Sequence, residues 1–110
     1  MIEREKSVGT YWVKIFIAGG LNDIEKTCRE FCLEGLCVTV TKTNYVFTMG
    51  TEKGAIVELV NYPRFPSTKA ELEEKAQKLA FLLLEKTYQG SVLLQTPEDT
   101  TWYTRRKDYL

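Results

Sequence analysis

The sequence of 110 residues contains no histidine. This removes the commonest general base, the usual proton shuttle near neutral pH and the commonest metal ligand, so catalysis would fall to carboxylate, thiol or amine groups. Cysteine is scarce and odd in number: Cys28, Cys32 and Cys37 are the three present. Clustered so closely, they fit free thiols in a reducing compartment better than a disulfide framework. Neither sign of charge is in excess, with 15 Lys and Arg against 15 Asp and Glu, so no net field draws the chain to nucleic acid or a membrane surface. No apolar run approaches the roughly 18 residues that a membrane span requires. The start, Met1-Ile2-Glu3-Arg4-Glu5-Lys6, is charged, and a cytoplasmic location without a membrane partner is expected.

What is present is a regular alternation of strand and helix patterns. From Tyr11 to Ala18, Val13, Ile15 and Ile17 fall on one face of a strand and Trp12, Lys14 and Phe16 on the other. Gly19-Gly20 ends that strand, and Asn22 with Glu25 has the form of a capping box for a helix carrying Ile24, Cys28 and Phe31 to a stop at Gly35. Leu36 to Thr41 alternates again. A bulge near Asn44 is expected to join it to Tyr45 and the residues after it, the alternative being a turn there. Tyr45 to Tyr62 then reads as a hairpin turning at Gly50-Thr51-Glu52-Lys53-Gly54. In its second arm Ala55, Val57 and Leu59 oppose Ile56, Glu58, Val60 and Tyr62.

Pro63, Phe65 and Pro66 end that arm, since proline cannot donate to a ladder. Leu72, Ala76, Leu79, Ala80, Leu83 and Leu84 make the stripe of a second helix, begun by Ser67 or Thr68 and stopped by Gly90. Val92, Leu93 and Leu94 form the last strand, closed by Pro97, with Thr100 to Tyr103 as a further extended piece. The order predicts an α+β fold: a ferredoxin-like βαββαβ sandwich in one domain, 1–110, its antiparallel sheet carrying both helices on one face. The uncovered face would present Trp12, Lys14, Phe16, Ile56, Glu58, Val60, Tyr62 and Leu93, with Lys14 and Glu58 paired across strands.

The chemical motifs are sparse. Cys28 on an apolar stripe reads as a small core residue, and structural zinc patterns supply four ligands where this chain offers three thiols, so neither metal nor cofactor is expected. Gly50 to Gly54 joins strand to strand and lacks the Gly-Lys-Ser/Thr ending of a phosphate loop. Glu98-Asp99 are adjacent acids in a loop, too close in sequence to flank a substrate. Thr104-Arg105-Arg106-Lys107-Asp108 reads as a solvated basic terminus.

Two family resemblances follow. Lys14 to Leu21 is similar to the first-strand signature of RNA-recognition modules, but the third strand offers Ala55 and Val57 where stacking aromatics belong. Cys37-Val38 at a strand start, Tyr45 to Gly50, an apolar strand from Ala55 and Phe65-Pro66 before a helix together resemble the CutA and PII-like trimeric regulators, without the long nucleotide-sensing loop of the latter. The chain also has the look of small phage accessory proteins. These features imply a non-enzymatic regulatory or inhibitory binding protein, self-associating as a homo-oligomer or holding a protein partner through its bare sheet face or an intersubunit cleft. The alternative is an RNA- or nucleotide-binding module using Trp12 and Phe16.

Overall fold

The computed structural model describes residues 1–107. After a coil, β1 (Trp12–Ala18) leads to α1 (Leu21–Phe31), a single 3-10 turn, β2 (Val38–Phe47), β3 (Gly50–Val60), α2 (Lys69–Thr87), β4 (Ser91–Gln95) and β5 (Thr100–Thr104). The strands form one antiparallel sheet in the order β2-β3-β1-β4-β5. It is a small α+β fold with a five-stranded sheet, one strand more than the expected plan, because Thr100–Thr104 pairs fully with β4.

The core follows from period-two alternation. Val13, Ile15 and Ile17 of β1, Ala55, Val57 and Leu59 of β3, and Val92 and Leu94 of β4 are buried together with Leu72, Ala76, Leu79, Ala80 and Leu83 of α2 and Ile24 and Cys28 of α1. Both helices therefore lie against the same face of the sheet. The helix starts differ in kind. Thr68 caps α2 with a full capping box, its hydroxyl accepting from Glu71 N–H while the Glu71 carboxylate accepts from Thr68 N–H. The expected box at Asn22 does not form: α1 begins at Leu21 with Gly20 as its cap and no side-chain cap bond. Gly19, at φ +134°, lets the chain turn out of β1 immediately, so Asn22 falls inside the first turn.

The hairpin also differs from expectation. β2 runs unbroken from Val38 to Phe47 in one register with β3, with neither bulge nor turn at Asn44. The chain reverses at Thr48 and Met49, the latter at φ 67°, and Gly50 to Gly54 belong to β3. Glycines inside a strand mark close approach rather than a turn. A Cβ on Gly54 would lie 2.3 Å from the Ile17 carbonyl oxygen and 2.7 Å from Cε2 of Tyr45. One on Gly50 would lie 2.5 Å from Cε2 of Phe47. Aromatic rings of β2 thus lie over both glycines. Because the β1–β3 ladder stops at Ala18 and Gly54, the pairs from Asn44–Lys53 to Phe47–Gly50 project as a two-stranded arm.

In the basic terminus Arg105, Arg106 and Lys107 are exposed as expected, but the Arg105 side chain is tied down; Asp108 lies outside the described residues. Helix α2 ends on a left-handed Tyr88, before the expected stop at Gly90. Arg105 donates to the Leu84 carbonyl at 3.2 Å and to the Gln89 carbonyl at 2.6 Å, placing its charge at the negative end of the helix. Among the described residues no helix is long and apolar enough to cross a membrane.

The Gly54 contact gives a direct test. Because the backbone atoms beneath it cannot move aside, Gly54→Ala should lower stability by about 1–3 kcal/mol, read as an earlier urea midpoint, while Gly9→Ala, which meets nothing within 4 Å, should leave the midpoint unchanged.

Candidate active site

The uncovered face is organised in rows, because residues paired in register share a face. One row crosses all five strands as Thr41, Ile56, Phe16, Leu93 and Trp102. The adjacent row is Thr39, Glu58, Lys14, Gln95 and Thr100. Beyond it, Trp12 pairs with Val60 near the end of both strands. The structure therefore brings seven of the eight expected residues onto one face. Tyr62 lies past the end of β3, in an isolated bridge to Phe65 with the two rings stacked 6.3 Å apart.

Against the apolar row opens a cleft of about 540 Å³, lined by Phe16, Ala18, Tyr45, Ser91, Val92, Leu93 and Trp102. Tyr45 and Trp102 were not among the residues expected at the site. The expected face residues come from Trp12–Ala18, from residues 55–62 and from Leu93, and neither Tyr45 nor Trp102 lies in those runs. A signal was available for both: each is a large aromatic in an alternating run, where a half-buried strand puts its contact residues.

Tyr45 is fixed at two points. Its ring crosses Gly54, and its hydroxyl donates to the Ala55 carbonyl at 2.7 Å. Burial pushes that hydroxyl up to about 12, against a smaller downward pull from a backbone hydrogen bond with Ile17. The phenol therefore stays protonated well above neutral pH. Lys14 and Glu58 stand opposite each other in register but form no ion pair among the described residues; the Lys14 ammonium lies over the Trp12 ring, 4.9 Å from its centroid.

A second hollow, of about 390 Å³, lies between α2 and the β4–β5 end and is lined by Glu73, Glu74, Gln77, Asp99 and Tyr103 among others. Several of its polar groups are already engaged. The Tyr11 hydroxyl donates to Glu73 at 2.6 Å and Gln77 Nε2 donates to the Tyr103 hydroxyl at 3.1 Å. Glu98, beside Asp99 in the loop, is ion-paired with Lys69. The three cysteines are free thiols, Cys28 buried, Cys32 half-buried and Cys37 exposed, so the core reading fits Cys28 and not Cys37. Among the described residues no three Cys, Asp or Glu side chains are grouped to hold a metal ion.

No family model matches the sequence, and no curated protein matches it. Solved structures do. A phage SAM lyase in its apo state matches with a TM-score of 0.68 at 17% identity, over 96% of this chain and 98% of that one. A phage SAM lyase in complex with S-methyl-5′-thioadenosine matches with a TM-score of 0.66 at 17% identity, over 94% and 96%. The chain shares the fold of these proteins along nearly its whole length. Their phage origin agrees with the small phage protein that the sequence resembles, whereas nothing in them bears on the CutA and PII-like resemblance. The expectation of a non-enzymatic regulatory protein, with its RNA-binding alternative, is overturned here: the matching structures are those of an enzyme, empty and with a small nucleoside bound. That expectation rested on the missing histidine and on the absence of paired acids, both of which presuppose a reaction needing proton transfer.

Burial pushes the Cys28 thiol up to about 12, with the Cys32 and Glu25 charges adding to it. Cys28 and Tyr45 thus both bind their protons more tightly folded than unfolded, where the ordinary values are 9.0 and 10.0. Their contribution to stability is complete below pH 9 and is lost as pH rises towards 12. The thermal midpoint should therefore fall across that interval, and the fall should be smaller in Tyr45→Phe.

Proposed function

We propose that this chain is a lyase acting on S-adenosylmethionine and releasing S-methyl-5′-thioadenosine from the cleft on the uncovered sheet face. The observation that carries this reading is the cleft itself. Phe16, Leu93, Tyr45 and Trp102 line an open, apolar, aromatic cleft of about 540 Å³, the kind of surface that a purine base and a thioether prefer to water. Its frame is that of proteins named for this activity, one of them holding the nucleoside.

The chemistry suits a chain without histidine. When the bond between sulfur and Cγ of the aminobutyryl group breaks, its electron pair goes to the positively charged sulfur and the thioether leaves neutral. No acid need protonate the leaving group. The four-carbon fragment is completed without water by its own carboxylate closing on Cγ as the thioether leaves, a displacement in which no proton is transferred. What the protein contributes is orientation, exclusion of water, and π-faces that a sulfonium finds favourable. The free thiols fit an enzyme of the cytoplasm. A ferredoxin-like frame, 1–110, belongs to the same reading, supported by the order β2-β3-β1-β4 with β5 added at its edge.

The far end of the face supports a second role alongside the first. Val60, Tyr62 and Phe65 are 42%, 44% and 52% exposed there, close to Trp12, making an apolar end beyond the polar row. We read it as the surface through which copies of the chain associate.

Incubated with S-adenosylmethionine, the protein should release S-methyl-5′-thioadenosine, detected by liquid chromatography, with no oxygen from labelled water in the four-carbon product. Phe16→Ala should lower kcat/KM roughly tenfold, since covering a large apolar side chain with the ligand is worth about 1.5–3 kcal/mol when complete and Phe16 starts half-buried. Absence of the thioether product, or its release with labelled oxygen, would reject the lyase reading. Separately, Val60→Asp should shift the molar mass in light scattering downward while circular dichroism stays that of the folded protein; an unfolded variant would mean that Val60 serves the core.

A further inference from the structure

Half-buried opposite charges placed side by side on a sheet normally neutralise each other. Lys14 and Glu58 do not. They are direct partners in the β1–β3 register, both half-buried, yet the Glu58 carboxylate has no hydrogen bond or ion pair among the described residues and the Lys14 ammonium rests on the Trp12 ring. Gln95 and Thr100 continue this row on one side and Thr39 on the other, so polar groups alone line it.

The row runs parallel to the one that floors the cleft. Glu58 is two residues from Ile56 on β3, and Lys14 two from Phe16 on β1, a step of roughly 7 Å at strand rise. The cleft extends from the apolar row toward Ala18, Tyr45 and Ser91 on one side, and the polar row borders Phe16 and Leu93 on the other. A ligand whose base lies against Phe16, Leu93 and Trp102 can therefore send its remaining chain along the apolar row, toward Ser91, or across to Lys14 and Glu58. Of these directions only the last meets charged side chains. The two side chains start from strands about 4.8 Å apart, one positive and one negative, which is the complement of an α-amino acid head whose ammonium and carboxylate share a carbon. Partial burial strengthens such contacts relative to those in open water.

We propose that the Glu58–Lys14 row is the recognition site for the zwitterionic head of the substrate, Glu58 taking the α-ammonium and Lys14 the α-carboxylate. The inference rests on the lyase reading and specifies its substrate class: sulfonium nucleosides that carry an intact α-amino acid. The decarboxylated sulfonium, lacking the carboxylate, is discriminated against at Lys14. The thioether product, lacking the head altogether, is held by the apolar row alone and leaves independently of the charges. Lys14 and Glu58 are specificity residues here, since neither is required to move a proton.

The test separates head from base. With wild type, Lys14→Gln and Glu58→Gln, binding of S-adenosylmethionine, of its decarboxylated analogue and of S-methyl-5′-thioadenosine is measured by calorimetry, beside turnover. Each substitution should raise Kd and KM for S-adenosylmethionine tenfold or more and leave Kd for the thioether within twofold. The decarboxylated analogue should not distinguish wild type from Lys14→Gln. Equal losses for substrate and thioether, or no loss for either, would overturn the assignment, as would a wild type that binds the decarboxylated analogue as tightly as the substrate. A wild type that binds S-adenosylmethionine without cleaving it rejects the lyase reading while the binding arms still decide the row; one that binds neither compound rejects both.

Discussion

The in-register pairing of β1 with β3, from Trp12 opposite Val60 to Ala18 opposite Gly54, is the constraint on which the other features depend. Alternation along this pair delivers Val13, Ile15, Ile17, Val57 and Leu59 to the helices and leaves Trp12, Lys14, Phe16, Ile56 and Glu58 on the other side. A slip of one residue would exchange the two sets and bury the charges of Lys14 and Glu58 against α2, which the apolar stripe of that helix could not satisfy. The same register that builds the core therefore composes the outer face, and it does so in rows of like chemistry.

That face needs little acid–base equipment for the reaction proposed. Enzymes that expel an alkoxide or an amine must supply a proton to the leaving group, and a histidine is the usual source. A sulfonium brings its own activation, so the proposed reaction asks of the site mainly aromatic surface, exclusion of water and a hold on the amino acid head, and not a proton donor. Inventories of catalytic residue types are informative only once the leaving group is specified, and this chain's composition points away from enzymes for that reason alone.

Much of the fold was legible. The alternation in Trp12–Ala18 and Ala55–Val60, the stripe in α2 and the cap at Thr68 each rest on local patterns with one physical solution. The failures share a different cause. Gly50 and Gly54 resemble turn residues in sequence, and only the approach of the Phe47 and Tyr45 rings from the neighbouring strand reveals why they lie within β3. Asn22 had the form of a cap, but Gly19 and Gly20 allowed the helix to begin sooner. The cleft was half visible: Phe16 and Leu93 could be assigned to a face by counting, whereas Tyr45 and Trp102 required knowing which strands are neighbours.

Arg105 adds a connection across the layers. It follows β5 directly, three residues beyond Trp102, and its guanidinium is held by carbonyls at the end of α2, on the opposite side of the sheet. One wall of the cleft is thereby anchored to the helix layer and not merely to its neighbouring strand. Strand β5 is bordered in the sheet by β4 alone, and Arg105 adds to the hold that Gln77 and Phe81 of α2 already have on Tyr103. The sheet thus transmits mechanically: a disturbance in α2 reaches the aromatic wall through side chains that cross between the layers, and the geometry of the outer surface is set in part by residues that never face it.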